Sequence, residues 1–221
     1  MTPDLDRDGL VLLRGLLPRD HLSFAESNLP ARSGTAGVRV YGNASLAVWL
    51  DDGPVGLAAR AGLGEGTRAV RAILFDKSME TNWVLGWHQD RTIAVREPLE
   101  TPGFTHWTVK AGASHVEPPF AVFEGMLTAR IHLDPVGADN APLCVALGSH
   151  ALGRVFEADI TAIVEQSGIF ECLAEAGDVW LYRTPILHAS DRSRSQDQRR
   201  VLQVDYSNLE LPEGLDWLGV G

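Results

Sequence analysis

His88, Gln89 and Asp90 stand together, His188 follows a hundred positions later, and Arg199 comes eleven beyond that. Two neutral imidazoles and one carboxylate on one face of a metal ion make the facial triad of non-haem iron(II) centres, which leaves three positions open. In an extended strand residues i and i+2 project to the same side, so His88 and Asp90 share a face while Gln89 points away. The third ligand must come from a neighbouring strand, because one strand cannot surround an ion and leave it accessible. His188 suits this role in the run TPILHAS, which follows a Gly177-Asp178 turn and the apolar VWLYR. Between His188 and Arg199 the segment ASDRSRSQDQ is polar and turn-forming, and RVLQVDYS then resumes strand alternation. The chain leaves the metal, turns and returns alongside it. A guanidinium carried back there stays charged at any working pH and clamps a carboxylate through two parallel bonds. A dicarboxylate fits this layout if one end chelates iron(II) through a carboxylate and an adjacent keto oxygen while the far end pairs with Arg199. That molecule is 2-oxoglutarate.

With these residues in place, the sequence resembles the phytanoyl-CoA dioxygenase family of iron(II)/2-oxoglutarate oxygenases. That family carries a His-x-Asp, a distal His in an LHxS setting and an Arg eleven residues later, matched here by His88, Asp90, His188, Ser190 and Arg199. The segments ILFDKSMETNWVLGWHQDRTIAV, LTARIHLDPVGADNAPLCVALGSHALGRV and AGDVWLYRTPILHAS are similar to the family in the same order, and the likeness runs from about residue 5 to 207. The resemblance implies iron(II), 2-oxoglutarate and O2 as reactants, succinate and CO2 as products, and hydroxylation of a small-molecule substrate. The family offset selects Arg199 over Arg200, whose side chains face opposite sides of a strand. Halogenases of the superfamily replace the carboxylate ligand with a small residue; Asp90 is present, which favours hydroxylation. Two departures stand out. Relatives often read Asn-Gly-Pro-Leu where this chain has Asn140-Ala141-Pro142-Leu143, a mild change in a turn, and its 221 residues are fewer than in many members.

Other residues have a functional and an ordinary reading side by side. His132-Leu133-Asp134 is a second His-x-Asp, on the strand-like LTARIHLD that Pro135 ends. It is closer to His188 in sequence than His88 is, which leaves less room for the strands between two ligand strands, and its expected role is a hydrogen-bonded pair at a strand end. Ser190 shares a strand face with His188 and could donate to a 2-oxoglutarate carboxylate, or cap a turn. Trp107 occupies roughly the place where relatives put an indole near the co-substrate; the alternative is a core tryptophan. Lys77, which with Asn82 flanks the approach to the first ligand strand, could pair with an anionic substrate or co-substrate, or be solvated. Arg39, in the strand-like GVRVYGN, could add a second basic contact, or sit in a surface ion pair. Trp83 and Trp87 are expected in the barrel wall. His106, His115 and His150 show no evident partner.

The elements that must position these groups are short. Strands are predicted near 69–76, 84–88, 92–96, 105–109, 125–134, 142–147, 169–173, 178–182, 185–189 and 200–206, separated by Gly, Pro and Asp. LDRDGLVLLRGLLPRDHL reads as a strand, a turn at Pro18 and a helix that Asp20 could cap, and another helix is predicted over 52–62. The expected fold is mainly β: a double-stranded β-helix, the jelly-roll or cupin-like barrel, with flanking α-helices. One domain over 1–221 is expected from length. The net charge of −10 argues against binding a phosphate backbone, so nucleic acid is excluded as a partner. No apolar run approaches the roughly 18 residues of a membrane span and the acidic start lacks an export signal, so a soluble cytoplasmic protein, monomer or homodimer, is expected. Cys144 and Cys172 lie in apolar runs and read as two buried thiols. Two further classes stay open: a cupin-type metal dioxygenase that uses no keto acid, and a non-catalytic barrel that binds a small ligand.

Overall fold

Apolar residues at period two place much of this chain in strands, which the computed structural model assembles into antiparallel sheets. It describes residues 2–30, 35, 37–78 and 80–221. In chain order the main elements are β1 (Leu10–Leu13), α1 (Arg19–Asn28), β2 (Gly37–Val40), α2 (Ala44–Asp52), α3 (Pro54–Leu63), β3 (Arg68–Lys77), β4 (Leu85–His88), β5 (Ile93–Val95) and β6 (Thr105–Lys110). They continue with β7 (Ala113–Glu117), α4 (Ala121–Glu124), β8 (Met126–His132), β9 (Leu143–Ala146), α5 (Ile160–Ser167), β10 (Ile169–Cys172), β11 (Val179–Arg183), β12 (His188–Ser190) and β13 (Arg199–Ser207). A six-stranded sheet runs β1-β11-β8-β13-β3-β2, a four-stranded sheet β10-β9-β12-β4, and a third β5-β7-β6. The two larger sheets form the expected jelly roll, with the helices flanking it.

The six-stranded sheet has two unlike faces. Ala72 and Leu74 of β3, Leu127, Ala129 and Ile131 of β8, and Leu202, Val204 and Tyr206 of β13 pack on Leu46, Leu50, Val55 and Ala59 of the helices. Burying each large aliphatic there contributes about 1.5–3 kcal/mol. The intervening residues face the other sheet, and the register aligns them: Arg199 opposite Lys77, Val201 opposite Phe75, Gln203 opposite Ile73 and Arg130, Asp205 opposite Arg71 and Thr128. An inner sheet face this polar is costly unless its groups find partners or serve a ligand. Towards one end the gap closes on Leu10, Leu143, Val145, Trp180, Tyr182 and Ile186. Towards the other it stays open.

Local expectations differ from the structure in several places. Asp20 does not cap α1: Pro18 occupies that position with no side-chain cap, and Asp20 lies within the first turn, where its charge complements the helix dipole. The helix expected over 52–62 is present as α3, and α2 ahead of it was not foreseen. Asn43 caps α2 by accepting from the Leu46 N–H, Gly53 closes it by donating to the Trp49 carbonyl, and Pro54 opens α3 with the fixed φ that suits a first helical position. Strand β7 was not foreseen, because ASHVE lacks a clear apolar alternation and is held by pairing with both β5 and β6.

Candidate metal centre

His88 ends β4, His188 begins β12, and the antiparallel register sets them directly opposite each other. Their ring centroids are 4.3 Å apart. Each ring is anchored by the carbonyl two residues before it: His88 Nδ1 lies 2.8 Å from Gly86 O, and His188 Nδ1 lies 3.0 Å from Ile186 O. A carbonyl only accepts, so both Nδ1 atoms carry the proton and both Nε2 lone pairs are left for a metal. Asp90 follows His88 just past the strand end, and donor atoms of His88, Asp90 and His188 all lie within 4.8 Å of one another. An ion that bonds each at about 2.1 Å needs only small side-chain rotations to be held. Gln89 turns away and fixes the bend: its amide donates to Gly153 O and Pro185 O, at 2.9 and 2.8 Å, and accepts from Val155 N at 2.8 Å.

Charge around the triad favours metal-ready forms. Burial opposes ionisation of Asp90, but Arg71, His188 and His88 outweigh it and hold the carboxyl below its ordinary value. Burial pushes the His188 imidazole down to about 4, with His88 adding to the effect, so it is neutral at neutral pH. Arg71 is the link behind the site: Nη2 reaches Asp90 Oδ2 at 3.3 Å and Nε reaches Asp205 Oδ2 at 2.5 Å. Thr128 donates to Asp205 Oδ1 at 3.0 Å. Such outer partners orient a ligating carboxylate.

The triad faces a cavity of about 330 Å³ between the sheets, lined among others by Arg39, Arg71, Phe75, Trp83, Lys110, Arg130, Ser190 and Arg199. Arg199 is 2 % exposed, its Nη1 donates to Ala141 O, and its Nε has no partner. Among the described residues no carboxylate pairs with it. Burial, then the neighbouring Arg130, push its pKa down to about 9. A buried, unneutralised guanidinium in a cavity is a site prepared for an anion. Arg200 faces the other way and pairs with Asp134 and Glu26, both at 2.7 Å.

The remaining candidates divide between the cavity and its supports. Ser190 lines the cavity and donates to Ala141 O at 3.2 Å. Arg39 lines it from β2. Lys77 does not line it: it is fully buried, donates to Trp83 O at 2.8 Å and Asp191 O at 2.5 Å, and lies 4.6 Å from the Trp83 ring, tying two loops together. Nor does Trp107, which packs on the cluster of Val70, Ile93, Val95 and Phe123. His132 and Asp134 are not a hydrogen-bonded pair; Asp134 serves Arg200, while the His132 ring is buried with both nitrogens unpartnered. His106, His115 and His150 do have contacts, to Glu117, to Ala113 O and to Asp6 O. Trp83 lines the cavity and Trp87 packs on a separate cluster with Val155 and Leu187. Cys172 is buried, Cys144 only half-buried, and neither is bridged.

The turn that differs from relatives turns out to matter to the backbone. Ala141 has φ of +49°, the left-handed region that glycine occupies without cost, and its carbonyl receives both Arg199 and Ser190. Sequence reasoning also passed over Arg71, Arg130, Gln203 and Asp205. Their signal was available: each is a polar residue at an alternating position of an apolar strand, RAVRAILFDK, MLTARIH or RRVLQVDYS.

A jelly roll that turns two imidazoles and a carboxylate into the space between its sheets belongs, as a class, with the metal-dependent oxygenases. The family follows from sequence: the model described as phytanoyl-CoA dioxygenase (PhyH) matches residues 47–201, and the chain belongs to that family of iron(II)/2-oxoglutarate-dependent oxygenases. No protein with a curated description matches the sequence. Among solved structures the chain is similar to EctD from S. alaskensis with 2-oxoglutarate and 5-hydroxyectoine, at TM-score 0.67 and 19% identity over 92% of this chain and 73% of that one. It is similar to HygX from Streptomyces hygroscopicus with nickel and 2-oxoglutarate, at TM-score 0.62 and 14% identity over 92% and 84%. A third is SnoN, a non-haem α-ketoglutarate-dependent epimerase from nogalamycin biosynthesis, at TM-score 0.66 and 14% identity over 92% and 80%. At these identities the likeness is one of fold. No helix among the described residues is long and apolar enough to cross a membrane.

Proposed function

We propose that this oxygenase hydroxylates an unactivated C–H bond of a small molecule, with ferrous iron held by His88, Asp90 and His188 and the far carboxylate of 2-oxoglutarate held by Arg199. The donor set suits that ion: two imidazoles whose Nδ1 atoms are already committed, one carboxylate kept ionised by Arg71, and all three on one side. When bound, iron and 2-oxoglutarate would supply a coupled oxidation by O2, one oxygen atom of which enters succinate as the keto acid loses CO2 while the other enters the substrate. The chain's own residues do the rest. Arg71 fixes the Asp90 carboxylate, Gln89 fixes the bend between the two first ligands, and the Ser190 hydroxyl, which donates to the Ala141 carbonyl in the ligand-free protein, can turn to the co-substrate as a second donor beside Arg199. Retention of Asp90 favours transfer of oxygen over transfer of halide.

The single observation that carries this reading is Arg199, buried and without an acidic partner in the same cavity as the three donors. A cupin-type dioxygenase that uses no keto acid has no need of it. The test is anaerobic titration of iron(II) and then 2-oxoglutarate, followed by succinate measurement in air. A weak visible charge-transfer band and 2-oxoglutarate-dependent succinate release are expected, and the succinate release is lost in Asp90→Ala. Full succinate release by that variant counts against the ligand assignment, and absence of the band in the unaltered protein counts against keto-acid chelation.

A further inference from the structure

The lining of the cavity is far more basic than the two reactants already assigned require. Among the described residues five cationic side chains reach it, Arg39, Arg71, Lys110, Arg130 and Arg199, against one carboxylate, Asp90. This is a chain with a net charge of −10, so the cluster is not a reflection of overall composition. Asp90 and Asp205 together with a dianionic co-substrate balance Arg71, Arg199 and a divalent iron. Arg39, Lys110 and Arg130 are then left without counter-charge.

These three do not sit together. Arg130 lies beside Arg199, and its neighbour Gln203 accepts from its Nη1 at 2.9 Å. Arg39 and Lys110 form a separate pole with Arg71, at the side of the cavity where β2 edges the large sheet and β6 approaches from the small one. Lys110 donates to Thr92 Oγ1 at 3.2 Å, and the Arg39 Nε is buried with no partner. Among the described residues neither makes an ion pair. Burial, and the repulsion of Arg71, lower the proton affinity of both, and Arg39 adds to the effect on Lys110. Lys110 is exposed at the mouth while Arg39 is half-buried, and an anion received between them relieves the repulsion of the two like charges.

We infer that the substrate carries an anionic oxyacid group, a carboxylate or a phosphate ester, which Arg39 and Lys110 receive at the rim while its reacting carbon faces the metal. This rests on the iron and 2-oxoglutarate reading of the same cavity. The cavity thus has two anion sites, an inner one at Arg199 and Arg130 for the co-substrate and an outer one at Arg39 and Lys110 for the substrate. Neutral molecules of similar shape leave the outer pole unsatisfied and bind poorly.

The test is calorimetry with inorganic phosphate and, separately, acetate, on the anaerobic iron(II) protein with and without 2-oxoglutarate. Binding of one anion is expected with 2-oxoglutarate present, weakened at least tenfold in Arg39→Gln/Lys110→Gln; Arg199→Gln should instead weaken 2-oxoglutarate and spare the outer anion. Preference for phosphate or acetate identifies which group the substrate bears. A second measurement needs no variant: succinate release across carboxylic acids paired with their primary amides and phosphate monoesters paired with their alcohols. Stimulation confined to the charged partners supports the assignment. Neutral partners that stimulate equally, or anion binding indifferent to the double substitution, overturn it. If 2-oxoglutarate itself does not bind the unaltered protein, the oxygenase reading fails, and the arm without 2-oxoglutarate still judges the outer pole by its dependence on Arg39 and Lys110.

Discussion

Replacing Arg199 by Met should make the ligand-free protein more stable and the co-substrate harder to bind, two effects of opposite sign from one side chain. The fall of its pKa from 12.5 to about 9 corresponds to roughly 5 kcal/mol of disfavoured charge. Relaxation and water entry recover part of that in solution, and exchanging a buried charge for a packed apolar group commonly gains about 1–4 kcal/mol. For a chain of this length about 2 kcal/mol raises Tm by roughly 4–8 °C. Removing one partner of a buried charge pair costs a ligand roughly 2–4 kcal/mol, about 30- to 1,000-fold in 2-oxoglutarate affinity. The assay is a thermal melt of both proteins, alone and with saturating iron(II) and 2-oxoglutarate under nitrogen. The order of melting should reverse: Arg199→Met above the unaltered protein without ligands, below it with them. Arg200→Met is the control, since it removes part-exposed pairs with Asp134 and Glu26, and should melt slightly lower with 2-oxoglutarate binding unchanged. A ligand-free Arg199→Met that melts lower and binds 2-oxoglutarate normally refutes the reasoning.

Ala141→Gly relieves a left-handed φ of +49° in a residue that also precedes Pro142, and should stabilise the fold by about 0.5–1 kcal/mol by urea melts; a loss would show that the turn is not strained. Burial, then Arg130 and Arg199, push the His132 imidazole down to about 3, against 6.5 when free. Its folded pKa is depressed, so its contribution is fully present above pH 6.5 and is lost as pH falls from there towards 3, by about 2 kcal/mol at pH 5. Burial likewise pushes His188 and His115 down to about 4, so the ligand-free protein should weaken steeply with acid. In His132→Leu the drop in urea stability between pH 7.5 and pH 5 should shrink by about that 2 kcal/mol, and an unchanged drop removes His132 as a cause.

Strand content, the jelly roll and the spacing of His88, Asp90, His188 and Arg199 were legible in the sequence, because period-two alternation and the i, i+2 rule are local properties that each segment carries by itself. Alternation set Arg199 and Arg200 on opposite faces, and the family offset chose Arg199. What the chain order could not convey is which polar residues meet across strands. The pairing of β3, β13 and β8 joins Arg71 to Asp205 and sets Arg130 beside Gln203, and no spacing rule links residues whose register is settled only when the sheet forms. The same holds for His132, whose partner-like neighbour Asp134 is taken by Arg200, and for Lys77 and Trp107, which folding commits to loop carbonyls and to a core cluster. Local chemistry named the triad. Tertiary pairing alone decided the concentration of positive charge that surrounds it, since charge density in a cavity is a sum over strands distant in sequence.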